Sequence, residues 1–276
     1  MGAARRVYAA STLAIVRLGV VADVHGNSVA LEAVLAEAAD FEVDCWWALG
    51  DLVLFGPRPV EVLQILAELP GIAYVSGNTD RYVLTGEQPA PHETPAHAVG
   101  DLDLVERHAA MAGAIGWTRG ALVQAGLLSV LSDMPSKQRL RLPDDTLLLG
   151  VHASPRRDDG QGIDSRVDAE ELAQLLEGCG ASTVVGGHTH DPTDRVLGSV
   201  RALNPGSVGV PGNVAHASWM LIEADADGVH TQPRETAFDV DLVVRDLHTR
   251  GYPNASFMES LLTGTRSLAH SLSDRS

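Results

Sequence analysis

An α/β fold built on parallel strands is predicted for this 276-residue chain, on three observations. Apolar runs repeatedly end in polar residues and glycine, the pattern of a buried strand opening into a loop. Stretches with apolar residues at helical spacing separate the first of these runs. The order that results, strand-helix-strand-helix-strand, requires helical crossovers and so parallel pairing.

The first strand and its loop are read from RLGVVADVHGN at 17–27. SVALEAVLAEAADF comes next, with Leu31, Val34, Leu35 and Ala38 on one helical face. VDCWWALGDLV is a second buried strand ending at Gly50-Asp51. PVEVLQILAELP is a helix opened by Pro59 and closed by Pro70-Gly71, and IAYVSGNTD is a third strand ending at Asn78. Between 85 and 135 the rhythm breaks into a Pro- and His-containing loop, TGEQPAPHETPAH, and then helical stretches as far as LSDMP. This reads as a helical excursion within one domain. TLLLGVHASP and STVVGGHTH resume the pattern, with a helix around 168–178 between them. VRALNPGSVG, ASWMLIEAD and GVHTQPRETAFD are short strands, the last two antiparallel across the DADG turn. Two helices, DVDLVVRDLHTRGYP and ASFMESLLTG, are broken at Gly251-Tyr252-Pro253 and precede a loose SDRS tail. Residues 1–16 read as an extension and not a secretion signal, because their apolar core is short and interrupted by Ser11 and Thr12. Residues 17–276 are expected to form the single domain.

Hydrophobic residues make up 45% of the chain and aromatics only 4%, so a large core must be packed mainly from Ala, Val and Leu. The net charge of −16 argues against stable binding to nucleic acid or to an anionic membrane surface. It leaves a phosphate substrate open, since bound divalent metals reverse the potential locally. Cys45 and Cys179 match no metal or redox spacing and are expected to be buried free thiols, which suits a reducing cytoplasm. No stretch is long and apolar enough to span a membrane, so a soluble, cytoplasmic protein is expected. The sequence does not specify an oligomeric state.

Polar residues cluster where the apolar runs end: Asp23 and His25 in DVH, Asp51 in GD, Asn78 in GN, His152 in GVH, and His188 with His190 in GHTH. Alternation along an extended backbone would turn His188 and His190 to the same side, with Gly186 and Gly187 allowing a tight turn. Each residue alone has an ordinary explanation: Asp23 or Asp51 as a helix cap, Asn78 as a turn residue, His152 as a satisfied core histidine, and the His pair as a surface turn. Together they coincide with the carboxyl ends of strands, where parallel α/β sheets bind ligands. Two carboxylates, one amide oxygen and four imidazoles suit borderline divalent metals. Seven ligands exceed one tetrahedral ion and fit two ions if a carboxylate bridges them.

DVHGN, GDLV, GN, GVH and GHTH, taken together, resemble the five blocks of the calcineurin-like metallophosphoesterases over about residues 17–245. GDLVLFGPRPVEVL and NPGSVG are similar to a prokaryotic branch of small phosphodiesterases and diadenosine-tetraphosphatase-like proteins. The resemblance implies a four-layer α-β-β-α sandwich in which two mixed sheets face each other, with a di-metal centre at one end. It implies that Asp23, His25, Asp51 and His190 hold one ion, and that Asp51, Asn78, His152 and His188 hold the other. Manganese is the expected metal, with Fe, Zn, Co and Ni as alternatives. Two such cations sharing a water lower its pKa, present hydroxide to phosphorus and stabilise the in-line displacement. On this reading Asp51, Asn78 and His152 also carry catalytic roles, and Asn78 binds the phosphate.

One position departs from the family. Many relatives have Gly-Asn-His at the third block, with the histidine thought to protonate the leaving oxygen, whereas this chain has Gly77-Asn78-Thr79-Asp80. Threonine is no general acid near neutral pH, a loss of roughly 10²–10⁴ in rate for a poor leaving group. Asp80 is either a replacement acid or, the favoured reading, a helix cap or a partner for Arg81. Arg156 and Arg157 read equally as phosphate-binding charges and as solvated loop residues. His92 and His97 are read as exposed loop histidines before they are read as site residues, and Asn204-Pro205-Gly206-Ser207 as a tight turn beside the site. Three functions are compatible with these residues. The favoured one is hydrolysis of small, nucleotide-like phosphodiesters. The others are hydrolysis of dinucleoside polyphosphates or of phosphomonoesters, including phosphoprotein, and a non-catalytic metal-site scaffold that binds partners.

Overall fold

Successive residues of the strand Cys45–Leu49 face opposite ways, and both faces are buried. Trp46 and Ala48 pack under helices, while Trp47 and Leu49 pack against a second sheet. The same division runs through the whole molecule. The computed structural model describes residues 8–9, 15–89 and 100–265.

In chain order the elements are β1 (Tyr8–Ala9), β2 (Ile15–Val21), α1 (Ser28–Ala38), β3 (Cys45–Leu49), α2 (Pro59–Ala67), β4 (Ala73–Val75) and α3 (Asn78–Thr85). Then come α4 (Leu102–Gln124), α5 (Leu128–Asp133), β5 (Gln138–Arg141), β6 (Leu147–Gly150), α6 (Ala169–Leu176) and β7 (Thr183–Val185). The chain continues with β8 (Thr193–Leu197), β9 (Val200–Asn204), β10 (His216–Asp225), β11 (Gly228–Ala237), α7 (Val240–Thr249) and α8 (Ala255–Leu262). One sheet has the order β11-β10-β2-β3-β4 and the other β1-β5-β6-β7-β9-β8. Strands β2, β3 and β4 run parallel, as do β6, β7 and β9, while β10–β11 and β8–β9 are antiparallel. Both sheets are therefore mixed.

Three apolar clusters fill the spaces between layers. Leu18, Val20, Leu49, Leu148, Val185 and Leu203 join the facing sheets. Leu31, Val34, Val62, Leu66, Leu247 and Leu262 cover the outer face of the five-stranded sheet with helices. Leu172 and Leu176 of α6 cover Leu149, Val184 and Ala202 on the outer face of the other. The result is the α-β-β-α sandwich that the resemblance implied.

Several local expectations need correction. The third strand is only Ala73–Val75, and Asn78 opens α3 instead of ending the strand. The Asp80 carboxylate accepts the Gly77 N–H at 3.1 Å, which starts the helix early. Strand β2 begins at Ile15; β1 was not legible as a strand because it is two residues long, and β5 and β8 because they are short and carry charged residues. Cys45 and Cys179 are free thiols, Cys179 buried and Cys45 partly so. No helix among the described residues is long and apolar enough to cross a membrane.

Candidate metal centre

The carboxyl ends of β2, β3 and β4 and those of β6 and β7 open at the same end of the sandwich. Across the gap between sheets two groups assemble, Asp23 with His25 and His190, and Asp51 with His152 and His188. In each group one donor atom per residue lies within 4.8 Å of the others. Asp23 Oδ1 is 3.4 Å from His190 Nε2 and 4.0 Å from His25 Nε2. Asp51 Oδ1 is 3.2 Å from His152 Nε2, while its Oδ2 is 3.9 Å from His25 Nε2, so this carboxylate lies between the groups. Asn78 Oδ1 joins the second group, 3.1 Å from His152 Nε2 and 3.0 Å from His188 Nδ1. His188 and His190 fall in different groups.

Each imidazole is anchored through its other nitrogen. His25 Nδ1 lies 3.0 Å from the Leu54 carbonyl, His152 Nδ1 2.7 Å from Leu49, His190 Nδ1 2.8 Å from Val210 and His188 Nε2 2.9 Å from Gly160. A carbonyl only accepts, so each of these nitrogens carries the hydrogen, and the other nitrogen of each ring faces the cluster, where it binds either a proton or a cation. His25 and His190 approach through their Nε2 atoms to 3.1 Å, a separation that one proton or one shared cation bridges. Donor type, anchoring and burial all fit a pair of divalent ions.

The electrostatics agree. Burial disfavours the charged form of both carboxylates, but neighbouring imidazoles outweigh it: His190 lowers Asp23 and His152 lowers Asp51 below the usual carboxylate range. The imidazoles diverge. Burial lowers His25 to about 4 and, with His152, lowers His188. Burial opposes charge on His152 and His190 as well, yet Asp51 raises His152 to about 10 and Asp23 raises His190. Buried clusters whose members diverge in this way are characteristic of functional sites.

The backbone is strained where it presents these groups. Asp23, His25, Asp51, His188 and His190 all have positive φ, between 49° and 70°. Non-glycine residues rarely adopt that region, and they cluster there at functional sites. The tight turning expected of Gly186-Gly187 is thus done by the two histidines. Gly187 is required for close approach instead: a Cβ there would lie 2.7 Å from Asp23 Oδ2. At Gly77 a Cβ would lie 2.2 Å from Asp51 Oδ1.

A supporting layer holds the clustered side chains. Asp80 is fully buried and accepts the Asp51 and Leu52 N–H groups at 2.8 and 2.9 Å, so it caps α3 and positions Asp51. Burial, with the Asp51 charge, raises its carboxyl to about 7. Arg81 does not pair with Asp80; it reaches Asp158, Asp159 and Glu87. Thr79 donates its N–H to Asp51 Oδ1 at 2.9 Å, and its buried hydroxyl has no hydrogen-bond partner among the described residues. Asn204 Nδ2 lies 2.9 Å from the carbonyls of Ile163 and Gly187, and Ser207 Oγ donates to the Asp23 carbonyl at 2.8 Å. The Asn204–Ser207 turn therefore clamps together the loops that carry Asp23 and His188, which its short-range pattern did not reveal.

A cleft of about 670 Å³ opens beside His152. Arg156 and Arg157 line it, but Arg156 is bound to Glu177 and Arg157 to Asp159. Sequence reading missed Arg81 and Lys137 as members of this wall. His92 and His97 lie outside the described residues.

Comparison with known proteins agrees with this fold. A hypothetical protein from Pyrococcus horikoshii OT3 has the same fold, with a TM-score of 0.73 at 18% identity over 90% of this chain and 98% of that one. A metallophosphoesterase from Sphaerobacter thermophilus superposes with a TM-score of 0.65 at 26% identity, again over 90% and 98% of the two chains. A symmetrical bis(5'-nucleosyl)-tetraphosphatase from Pectobacterium carotovorum subsp. carotovorum (strain PC1) is 36% identical over 84 residues, and this match spans only 30% of each chain. The calcineurin-like phosphoesterase superfamily domain matches residues 16–227, which is most of the chain, and the chain belongs to that superfamily.

Proposed function

We propose that the protein is a two-metal phosphoesterase acting on small, nucleotide-like phosphodiesters. The observation that carries this reading is the set of four imidazoles, each anchored by a backbone carbonyl and each turned onto Asp23, Asp51 or Asn78. Asp23, His25 and His190 hold one ion, Asn78, His152 and His188 hold the other, and Asp51 serves both. When bound, two divalent cations, with Mn²⁺ favoured, lower the pKa of water and neutralise charge on phosphoryl oxygens. The chain's own residues fix where that charge sits. Asp80 and the Thr79 amide hold Asp51 in place, and Asn78 offers its amide hydrogens to a phosphoryl oxygen. No imidazole follows Asn78, so leaving groups that depart without a proton are favoured.

Dinucleoside polyphosphates are the second reading. Their phosphate leaving group is only weakly basic, which suits a site without a general acid, and the Pectobacterium relative supports it. The test is elemental analysis after Mn²⁺ loading, followed by turnover of bis-p-nitrophenyl phosphate, cyclic nucleotides, diadenosine tetraphosphate and phosphomonoesters. About two ions per chain and chelator-sensitive hydrolysis of diesters are expected. One ion or none, or loaded protein inert on the whole panel, overturns the proposal and leaves the scaffold role.

A further inference from the structure

The cleft beside His152 is walled by four cations, Arg81, Lys137, Arg156 and Arg157, against two carboxylates, Asp158 and Asp159, in a chain of net charge −16. Three of the four cations are already engaged. Arg81 is clamped to Asp158 and Asp159, Arg157 to Asp159, and Arg156 to Glu177. Lys137 alone among them has no hydrogen bond or ion pair to any described residue. It is also the single lysine of a chain that otherwise uses arginine.

Its backbone is held in place although its side chain is free. The Pro135 carbonyl accepts the Ser76 N–H at 2.9 Å, and Gln138 Nε2 donates to the Tyr74 carbonyl at 2.9 Å. Both clips fasten the Lys137 segment to the end of β4, which leads through Gly77 directly to Asn78. An ammonium on a flexible four-carbon stem is thus tethered to the strand end that leads into a proposed ligand, Asn78 at the start of α3. Guanidinium groups bind carboxylates and phosphates alike, but the three here are already held by carboxylates; the Lys137 ammonium remains as a point charge for a phosphate oxygen.

We infer that Lys137 binds a second phosphate, one covalently linked to the phosphate at the metal centre, and so selects substrates that carry a chain of two or more phosphates. This rests on the phosphoesterase reading above and deepens its second form, hydrolysis of dinucleoside polyphosphates. Binding that is equal in ground and transition states changes KM and leaves kcat alone. A charge-assisted contact of this kind changes affinity by roughly 10–100-fold.

The experiment compares wild type with Lys137→Ala and Lys137→Arg, all Mn²⁺-loaded. KM and kcat are measured for diadenosine tetraphosphate and for bis-p-nitrophenyl phosphate, which has one phosphate. Calorimetry gives the dissociation constant of tripolyphosphate. For Lys137→Ala we expect KM for diadenosine tetraphosphate and the tripolyphosphate constant to rise at least about tenfold. Its kcat, its bis-p-nitrophenyl phosphate kinetics and its unfolding temperature should stay near wild type, and Lys137→Arg should recover most of the loss. Equal tripolyphosphate binding by wild type and Lys137→Ala, or no binding by wild type, overturns the inference. So does an equal loss on both substrates. If no variant turns over any phosphoester, the phosphoesterase reading fails, and the tripolyphosphate titration still decides the role of Lys137.

Discussion

Thr79 stands where the family resemblance implies an acid, and its surroundings limit what it can do. The residue is 4% exposed, its amide is committed to Asp51 Oδ1, and its hydroxyl is buried without a partner among the described residues. A side-chain substitution keeps the amide and with it the position of Asp51. Thr79→His therefore tests leaving-group protonation directly. Turnover of diesters with alkoxide leaving groups should rise by about tenfold or more, while p-nitrophenyl esters, whose leaving group needs no proton, should change by less than about twofold. A fixed ratio of alkyl to aryl rates across pH would show that position 79 has no bearing on departure of the leaving group. Neighbouring Asp80 shows why single residues were hard to read: its type allowed an acid, a cap or an ion pair, and only burial beneath Asp51 selected the cap.

At the scale of elements, α1 is tied to the antiparallel edge of its sheet by one side chain. Glu37 accepts from Trp219 Nε1 at 3.1 Å and from Arg234 Nε at 2.9 Å, and it also bonds Thr236 Oγ1. Replacing it by alanine leaves the buried indole N–H of Trp219 with Thr236 Oγ1 alone, at 3.3 Å, and should destabilise the fold by about 1–3 kcal/mol, read by chemical denaturation. The effect should depend on pH. Burial works against the Glu37 charge, but hydrogen bonds from Thr236, Arg234 and Trp219 prevail and hold its carboxyl below the usual value. A folded pKa below the unfolded value near ~4.3 contributes stability that is full above that value and disappears as pH falls through the lower folded one. The gap between wild type and Glu37→Ala should accordingly narrow below about pH 4. A gap that stays constant from pH 7 to pH 3 would remove the ionised carboxylate from the account.

The proposed metal pair gives the whole molecule a link between its two sheets. Asp23 and His25 follow β2, whereas His190 follows β7 in the other sheet, and the same division separates Asp51 from His152 and His188. Ligands that bind only the folded state stabilise it by mass action, about 2.7 kcal/mol at 100 times the dissociation constant. Mn²⁺ should therefore raise the unfolding temperature measured by scanning calorimetry. Asp51→Asn should keep the metal-free unfolding temperature near that of wild type, because the three apolar clusters and not the metal hold the layers. It should lose most of the Mn²⁺-induced increment and most turnover, because a neutral amide bridges two cations poorly. A full increment in Asp51→Asn would show that this carboxylate does not bridge.

The sequence by itself determined the alternation of strand and helix, the polar residues that close each apolar run, and the donor types of the site. These are local properties, carried by periods of two and 3.6 residues and by the few residues at the end of each run. It did not determine where Asn78 lies, because propensity read β4 as longer while the Asp80 side chain opened α3. It did not determine how the imidazoles are oriented, because each is set by a carbonyl brought in from elsewhere, such as Leu49 for His152 across 103 residues. The pairing of His25 with His190 spans 165 residues, and the approach of Lys137 to the cleft depends on clips from β4. Only the stacking of two sheets brings such groups within 3–4 Å, and burial there decides which of several chemically possible roles each side chain takes.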